Sequence, residues 1–417
     1  MTFEVSRRQV LAGMAVVGGS VLSGSTTALA APGKSGKEDR WQTVRAAYSP
    51  SSPMMNLNNA GVSPQPLVVQ NAFIDAYRFA NGEPDVNMWE TLDGTRDRTK
   101  AKLARLVDCD VEEIALNRNS TEGLCTAIHG IDLSAGDEVL SSPWDYDSMR
   151  QAWLQRGRRH GVVIRDVNFD ALASDDAIVE VYRRAITKRT RVMHLTHMLH
   201  STGRVLPVER LCELARSHGL QTIVDAAQSF AQLPLSFRKI GCDYLAASLH
   251  KWLCAPFGTG MLIVRKQRIA ALWPLMAPLS GDAKGIAKID GWNLGTYSSP
   301  AEHAVEAAID FHNQLGTEAI HARLRELSLH WINKARSLPG FALHTPLDEA
   351  RLSAVTLFSI SGRSAEELEK TLRERHRIRV RYRKVNGLIG LRVSPHIYTS
   401  TDDLDQFVGA LTAEVRR

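Results

Sequence analysis

The sequence predicts an α/β fold with a mostly parallel sheet covered on both faces, followed by a smaller α+β C-terminal domain. Three observations carry this. From about residue 113 to residue 264, short apolar runs alternate with amphipathic helical stretches, the pattern of βαβ units. After Pro300 the helical stretches lengthen and apolar strands become few. The length of 417 residues suits two domains.

In chain order, the strands are expected over 113–117, 137–141, 162–167, 192–196, 221–226, 244–248 and 259–264. A helix opens at Ser120-Thr121, and another covers 175–186. A third covers 207–218, with Pro207 at its start and Gly219 at its end. In the C-terminal part, helices are expected over 301–315 and 318–338, separated by Gly316. A strand covers 352–360, a helix 364–376, a strand 388–393 and a final amphipathic helix 401–417. Residues 31–55 lack sustained periodicity and read as a linker and arm. The domains are therefore 56–299 and 300–417.

Composition narrows the function classes. The chain is 44% hydrophobic and 23% charged, an ordinary globular balance. Its net charge of +6 is spread out. The densest basic patch, 373–384, reads as a solvated helix end leading into an edge strand. It lacks the interleaved aromatics of a nucleic-acid-binding module. The five cysteines, at 109, 125, 212, 242 and 254, show neither CxxC nor metal-site spacing; they read as small buried apolar residues. Residues 1–30 are different. Ser6-Arg7-Arg8-Gln9-Val10-Leu11 is a twin-arginine pattern, an apolar Gly-containing stretch follows, and Ala28-Leu29-Ala30 offers a cleavage site. These features predict a signal peptide handed to the twin-arginine export machinery and a periplasmic or exported product. The apolar stretch is too short for a stable membrane span.

Open parallel sheets bind ligands beyond the carboxyl ends of their strands, so the residues following each strand are the candidates. Asp225 directly follows the apolar run Ile223-Val224. A carboxylate there can pair with a protonated ring nitrogen or cap the next helix. Lys251 closes Ser248-Leu249-His250-Lys251. A buried lysine there loses basicity and forms Schiff bases with aldehydes; an exposed one snorkels. Ser120 and Thr121 can bind a phosphate at a helix N-terminus or serve as an ordinary cap.

Together these segments resemble one family. Asn56-Leu57-Asn58-Asn59-Ala60-Gly61, Val224-Asp225-Ala226-Ala227-Gln228-Ser229 and Ser248-Leu249-His250-Lys251-Trp252 are similar, in order and spacing, to motifs of the class V aminotransferases. That family includes cysteine desulfurases and isopenicillin N epimerase-like proteins. The resemblance covers residues 56–300 and continues more weakly to 417. It implies a large domain of PLP fold type I, pyridoxal 5'-phosphate as cofactor and a homodimer with shared active sites.

Residue by residue, the resemblance implies that Lys251 carries the cofactor and shuttles the α-proton, that Asp225 pairs with the pyridine nitrogen, and that Gln228 faces the phenolic oxygen. Ser120, Thr121, Ser248 and His250 form the phosphate cup. Tyr146 stacks on the cofactor face, and Thr296 reaches the phosphate from the second subunit. Arg392 forks onto a substrate carboxylate, and Asn59 lies near the substrate or serves the turn. The sequence departs from the family at His200, which stands where many relatives have an asparagine; it contacts the cofactor, acts as an acid–base group, or does neither.

The expected reaction modifies the amino group or α-carbon of an amino acid or a peptide metabolite. Epimerisation and C–S cleavage are the alternatives, and a non-catalytic binding protein of the same fold is a minor one. An exported member is also similar to the periplasmic enzymes that tailor the glutamate side chain of pyoverdine-type siderophores. The stretch 377–391, where desulfurases carry their mobile cysteine, has none here, which argues against persulfide transfer.

Overall fold

The computed structural model describes residues 37–49, 53–279, 281, 283–291 and 295–417. The twin-arginine pattern and the cleavage site lie outside these residues.

The strands are β1 (Met55–Asn56), β2 (Ile114–Asn117), β3 (Glu138–Ser141), β4 (Val163–Asp166), β5 (Thr190–Thr196), β6 (Gln221–Asp225), β7 (Tyr244–Ser248) and β8 (Gly260–Val264), then β9 (Phe341–Leu343), β10 (Thr356–Ile360), β11 (Ile378–Arg379), β12 (Arg381–Val385) and β13 (Leu388–Val393). Strands β2 to β8 form a seven-stranded sheet in the order β2-β8-β7-β6-β5-β3-β4. Only β8 runs against its neighbours, β2 and β7; the other pairings are parallel. Strands β7 and β8 are buried at every position, as helices on both faces require. The continuous apolar runs that mark these strands in the sequence follow from that double cover.

Because β2, β3, β5, β6 and β7 all point the same way, their carboxyl ends share one edge. Asn117, Ser141, Thr196, Asp225 and Ser248 end these strands there.

The second sheet, β12-β13-β10-β9, is antiparallel. The helices Thr317–Ala335, Ala365–Arg375 and Thr401–Val415 accompany it, and Trp331, Phe358 and Phe407 pack at its centre, with ring centroids 5.4 and 5.6 Å from Trp331. The strand ends expected from the sequence shift by a few residues, most at β10, which begins at Thr356 rather than 352. The stretch 31–55, read as linker and arm, contains a helix, Lys37–Ala46. Trp41, Val44 and Tyr48 fall on one side of that segment and are buried, a spacing of three and four residues that anchors it. The chain then joins the second sheet region directly, since β1 pairs in parallel with β11.

Gly203 marks the tightest contact between the two sheet regions. Its φ is +73°, and a Cβ there would lie 1.6 Å from the carbonyl oxygen of Val355. Around it, Ser353 Oγ donates to the Gly203 carbonyl (3.2 Å) and Thr345 Oγ1 to the Thr202 carbonyl (2.6 Å). Gly203→Ala should therefore combine left-handed strain with overpacking and cost at least about 2 kcal/mol. Chemical denaturation checks this; an alanine variant within 0.5 kcal/mol of the parent (about the scatter of a neutral surface change) would refute the contact.

Candidate functional site

The edge where five strands end opens into a cavity of about 240 Å³. Of the twelve residues that the sequence singles out, ten line it: Lys251, Asp225, Gln228, His200, Tyr146, Ser120, Thr121, Ser248, His250 and Arg392.

Adjacent strands β6 and β7 deliver the central pair. Asp225 is buried, and its Oδ1 accepts the Ala227 N–H at 2.8 Å. Burial raises its pKa, while that N–H and the Lys251 charge pull the other way. On Lys251 burial acts oppositely. It pushes the amine from 10.5 down to about 8; Asp225 opposes this, and Arg392 and Arg383 add to it. One end of the cavity thus holds a carboxylate short of cationic partners, and beside it stands an amine that is substantially neutral near pH 8. Gln228 is fixed from two sides, donating to the Ala60 carbonyl (2.9 Å) and accepting from Trp252 Nε1 (3.0 Å).

The helix Ser120–Gly130 starts at the same edge. Its cap is Asn119, whose side chain accepts the Glu122 N–H at 2.9 Å. Ser120 and Thr121 are thereby released from capping. Ser120 Oγ lies 2.9 Å from Ser248 Oγ, and Ser248 also accepts the Ser120 N–H at 3.0 Å. His250 has Nδ1 3.1 Å from the Thr259 carbonyl, so Nδ1 carries a proton, and Nε2 donates to an anion when the ring is the imidazolium. Hydroxyls, a helix N-terminus and an imidazole converge as a phosphate group requires. A buried carboxylate for a pyridinium, a depressed lysine for an aldehyde and this cup together fit pyridoxal phosphate.

The second sheet supplies the opposite wall. Arg392 is fully buried and donates to the His200 carbonyl (2.8 Å) and to Asn58 Oδ1 (2.7 Å). Its Nε has no partner among the described residues. His200 is buried, with its ring 5.3 Å from that of Tyr146 at 85°. Burial, aided by Arg392, Arg383 and Lys251, pushes its pKa down to about 3, so the imidazole is neutral at ordinary pH. Tyr146 is half exposed at the mouth and meets His200 edge-on.

Two expected residues stand elsewhere. Asn59 is fully buried and saturated. Its amide donates to the carbonyls of Asn56 (3.1 Å) and Ser394 (2.9 Å), and its oxygen accepts from Tyr398 (2.6 Å). It serves the turn, and its neighbour Asn58 is the one that reaches Arg392. Thr296 is exposed and does not line the cavity. Conversely, Arg383 lines the cavity though the sequence reading left it in a solvated patch. The signal was there in the alternation of Arg381 and Arg383, which on a strand sends both to one face.

Known proteins match the chain over most of its length. Residues 55–407 match the family model described as aminotransferase class-V. The isopenicillin N epimerase of Streptomyces clavuligerus is 31% identical over 392 residues, covering 89% of this chain and 98% of that one. A probable cysteine desulfurase of Synechocystis is 26% identical, covering 87% and 91%. Among solved structures, the fold is similar to that of the cystine C–S lyase C-DES, studied with cysteine persulfide (TM-score 0.80, 22% identity, 87% of this chain and 98% of that one). It is also similar to that of a cysteine desulfurase from Thermococcus onnurineus NA1 (TM-score 0.80, 21% identity, 90% and 98%). With the sheet order, the partly buried lysine, the buried aspartate and the whole-length matches in hand, the chain is a member of the pyridoxal-phosphate-dependent class V aminotransferase family.

Proposed function

We propose that this enzyme modifies the amino group or α-carbon of an amino acid or amino-acid-containing metabolite, with Lys251 as the covalent anchor and proton carrier. The observation that carries this reading is the Lys251–Asp225 pair at the ends of adjacent strands, the carboxylate buried and the amine partly buried and held near pKa 8. When bound, the cofactor supplies an electron sink for the carbanion left by Cα–H cleavage. The protein's residues do the rest. Asp225 keeps a negative charge against the ring nitrogen. Ser120, Thr121, Ser248 and His250 hold the phosphate, and Gln228 is locked by Ala60 and Trp252 at the ring. Arg392 directs its unpartnered Nε toward the substrate carboxylate. Lys251 Nζ takes the α-proton and returns it. His200 is neutral at ordinary pH, with one ring N–H and one acceptor nitrogen, and acts by hydrogen bonding rather than as an imidazolium.

Transamination and epimerisation differ only in where that proton goes back. Persulfide transfer is disfavoured by Cys254. Its thiol is buried, its φ is +57°, and burial pushes its pKa up to about 12. Sγ sits 3.4 Å from His396 Nε2 in a packed cluster. All five cysteines are free, and none of them lines the cavity. A homodimer is supported by large apolar side chains left exposed, including Trp273 at 69% and Leu279 at 80%, and by Thr296 lying outside its own cavity. Export rests on the twin-arginine pattern of residues 6–11. Among the described residues no helix is long and apolar enough to cross a membrane.

Incubation with candidate amino acids in deuterium oxide tests the reading. Deuterium should enter at Cα, with 2-oxo acid released if transamination follows and with racemised amino acid if epimerisation follows. A cofactor-loaded enzyme that exchanges no α-proton in any amino acid or peptide amine would contradict it.

Two further outcomes follow from the charges. Covalent loading of the apoprotein should accelerate with pH and level off above about 8, because only the neutral amine attacks. The folded lysine binds fewer protons than the unfolded one between about 8 and 10.5, so apoprotein stability should also rise with pH through that window. A loading midpoint near 10 in stopped-flow absorbance would show that Lys251 is not desolvated. Asp225→Ala should lower turnover by about 10²-fold or more while the melting midpoint stays close to the parent's, since an ill-solvated carboxyl is removed. Full activity in the folded variant would remove Asp225 from the mechanism.

A further inference from the structure

The cavity carries more positive charge than the reading above uses. Its cationic side chains are Lys251, Arg383 and Arg392, and Asp225 is the one carboxylate among its lining residues. Asp225 belongs to the large-domain end, beside Lys251. The two arginines come from the small-domain sheet. Arg392 is held by neutral oxygens, the His200 carbonyl and Asn58 Oδ1. Arg383 is partly buried, and its Nε has no partner among the described residues. Neither guanidinium is ion-paired there. Asp147 is the acid that faces Arg383 electrostatically, together with the Tyr146 hydroxyl, and Asp147 is exposed and forms no bridge to it.

The register explains how the two cations come together. In the antiparallel β12–β13 pair, Arg381 lies opposite Arg392 and Arg383 opposite Gly390. Residues directly opposite share a face, so Arg383 and Arg392 are diagonal neighbours on one face, with backbones roughly 7–8 Å apart. The glycine at 390 answers the close approach of β10, where a Cβ would lie 2.4 Å from the Phe358 carbonyl oxygen, and Arg383 on the neighbouring strand lines the cavity. Guanidiniums without anions repel one another; burial lowers the basicity of both, Arg383 and Arg381 lower that of Arg392 further, and Arg381 lowers that of Arg383. A chain that builds this arrangement at its ligand cavity gains its compensation from the ligand.

We infer that Arg383 forms a second anion subsite and that the substrate is an amino acid, free or at the end of a larger metabolite, whose side chain carries a carboxylate. Arg392 takes the α-carboxylate and Arg383 the distal one. The phosphate cup does not satisfy Arg383, because that cup is built from large-domain groups at the strand ends. The planar fork of a guanidinium suits a planar carboxylate, which it can grip in a bidentate way. This assignment rests on the reading of Arg392 and Lys251 given above.

The test uses unreactive ligands, so that it does not depend on turnover. Purified holoenzyme is titrated by calorimetry with glutarate and succinate, and with butyrate and propionate as monocarboxylate controls. The dicarboxylates should bind at least about tenfold more tightly, as desolvated charge pairs do. Arg383→Gln should abolish that advantage and leave monocarboxylate affinity unchanged, and Arg383→Lys should retain part of it. The lysine variant also serves if the glutamine variant melts early. Equal binding of both ligand classes by the parent enzyme, or a preference that survives Arg383→Gln, would overturn the subsite. A failure of the underlying cofactor reading would show separately, as purified protein without the visible absorbance of lysine-bound cofactor.

Discussion

A carboxylate and an amine share a dry sheet edge, and burial works on them in opposite directions. It raises the pKa of Asp225 and lowers that of Lys251. Each group partly offsets the other's desolvation, but neither is satisfied as it would be in water. The arrangement is stable because strands β6 and β7 are adjacent, parallel and packed on both faces, so their carboxyl ends cannot drift apart. Helix Ser120–Gly130, capped by Asn119 rather than by its own first residues, supplies the third fixed point. What one aromatic aldehyde phosphate needs, namely an anion at its ring nitrogen, an amine at its aldehyde and donors at its phosphate, is thereby set on three rigid elements before any ligand arrives.

The second sheet completes the cavity through a few specific contacts. β1 pairs with β11, Asn59 stitches the turn after β1 to Ser394 and Tyr398, and Arg392 reaches across to His200 and Asn58. Gly203 lets the Thr202–Arg204 turn close against Val355. Arg392 and His200 thus hang from the same contacts that fix the two sheets to one another. A fault in that seam should disturb the substrate wall before it disturbs the cofactor end.

Much of this was legible in the sequence, for physical reasons. A doubly covered parallel sheet needs continuous apolar runs, so β5 to β8 stand out, and a residue just beyond such a run must lie at the ligand edge. That logic located Asp225, Ser248 and Lys251 without any knowledge of packing. It failed where the pattern is weak. The helix Asp147–His160 escaped because it is rich in arginine and buries only a narrow stripe, Met149, Ala152, Trp153 and Arg156. The helix Lys37–Ala46 escaped because its anchoring residues are spread through a polar, Pro- and Gly-flanked stretch. Of the two roles the sequence left open for Asn59, its hydrogen bonds fit the turn; the sequence cannot tell that the adjacent Asn58 is the one that reaches Arg392. Arg383 was hidden by its neighbours: in a run of basic residues on an edge strand it looks solvated, the alternation with Arg381 gives a face but not which face, and the cavity lining settles it.

The central claim is that the amine of Lys251, and no other, bears the cofactor. Reduction of the purified holoenzyme with borohydride, followed by proteolysis and mass mapping, addresses it directly. The account predicts a single pyridoxyl adduct, on the peptide containing Ser248-Leu249-His250-Lys251-Trp252. An adduct on any other lysine, or a cofactor that dialyses away after reduction, would contradict it.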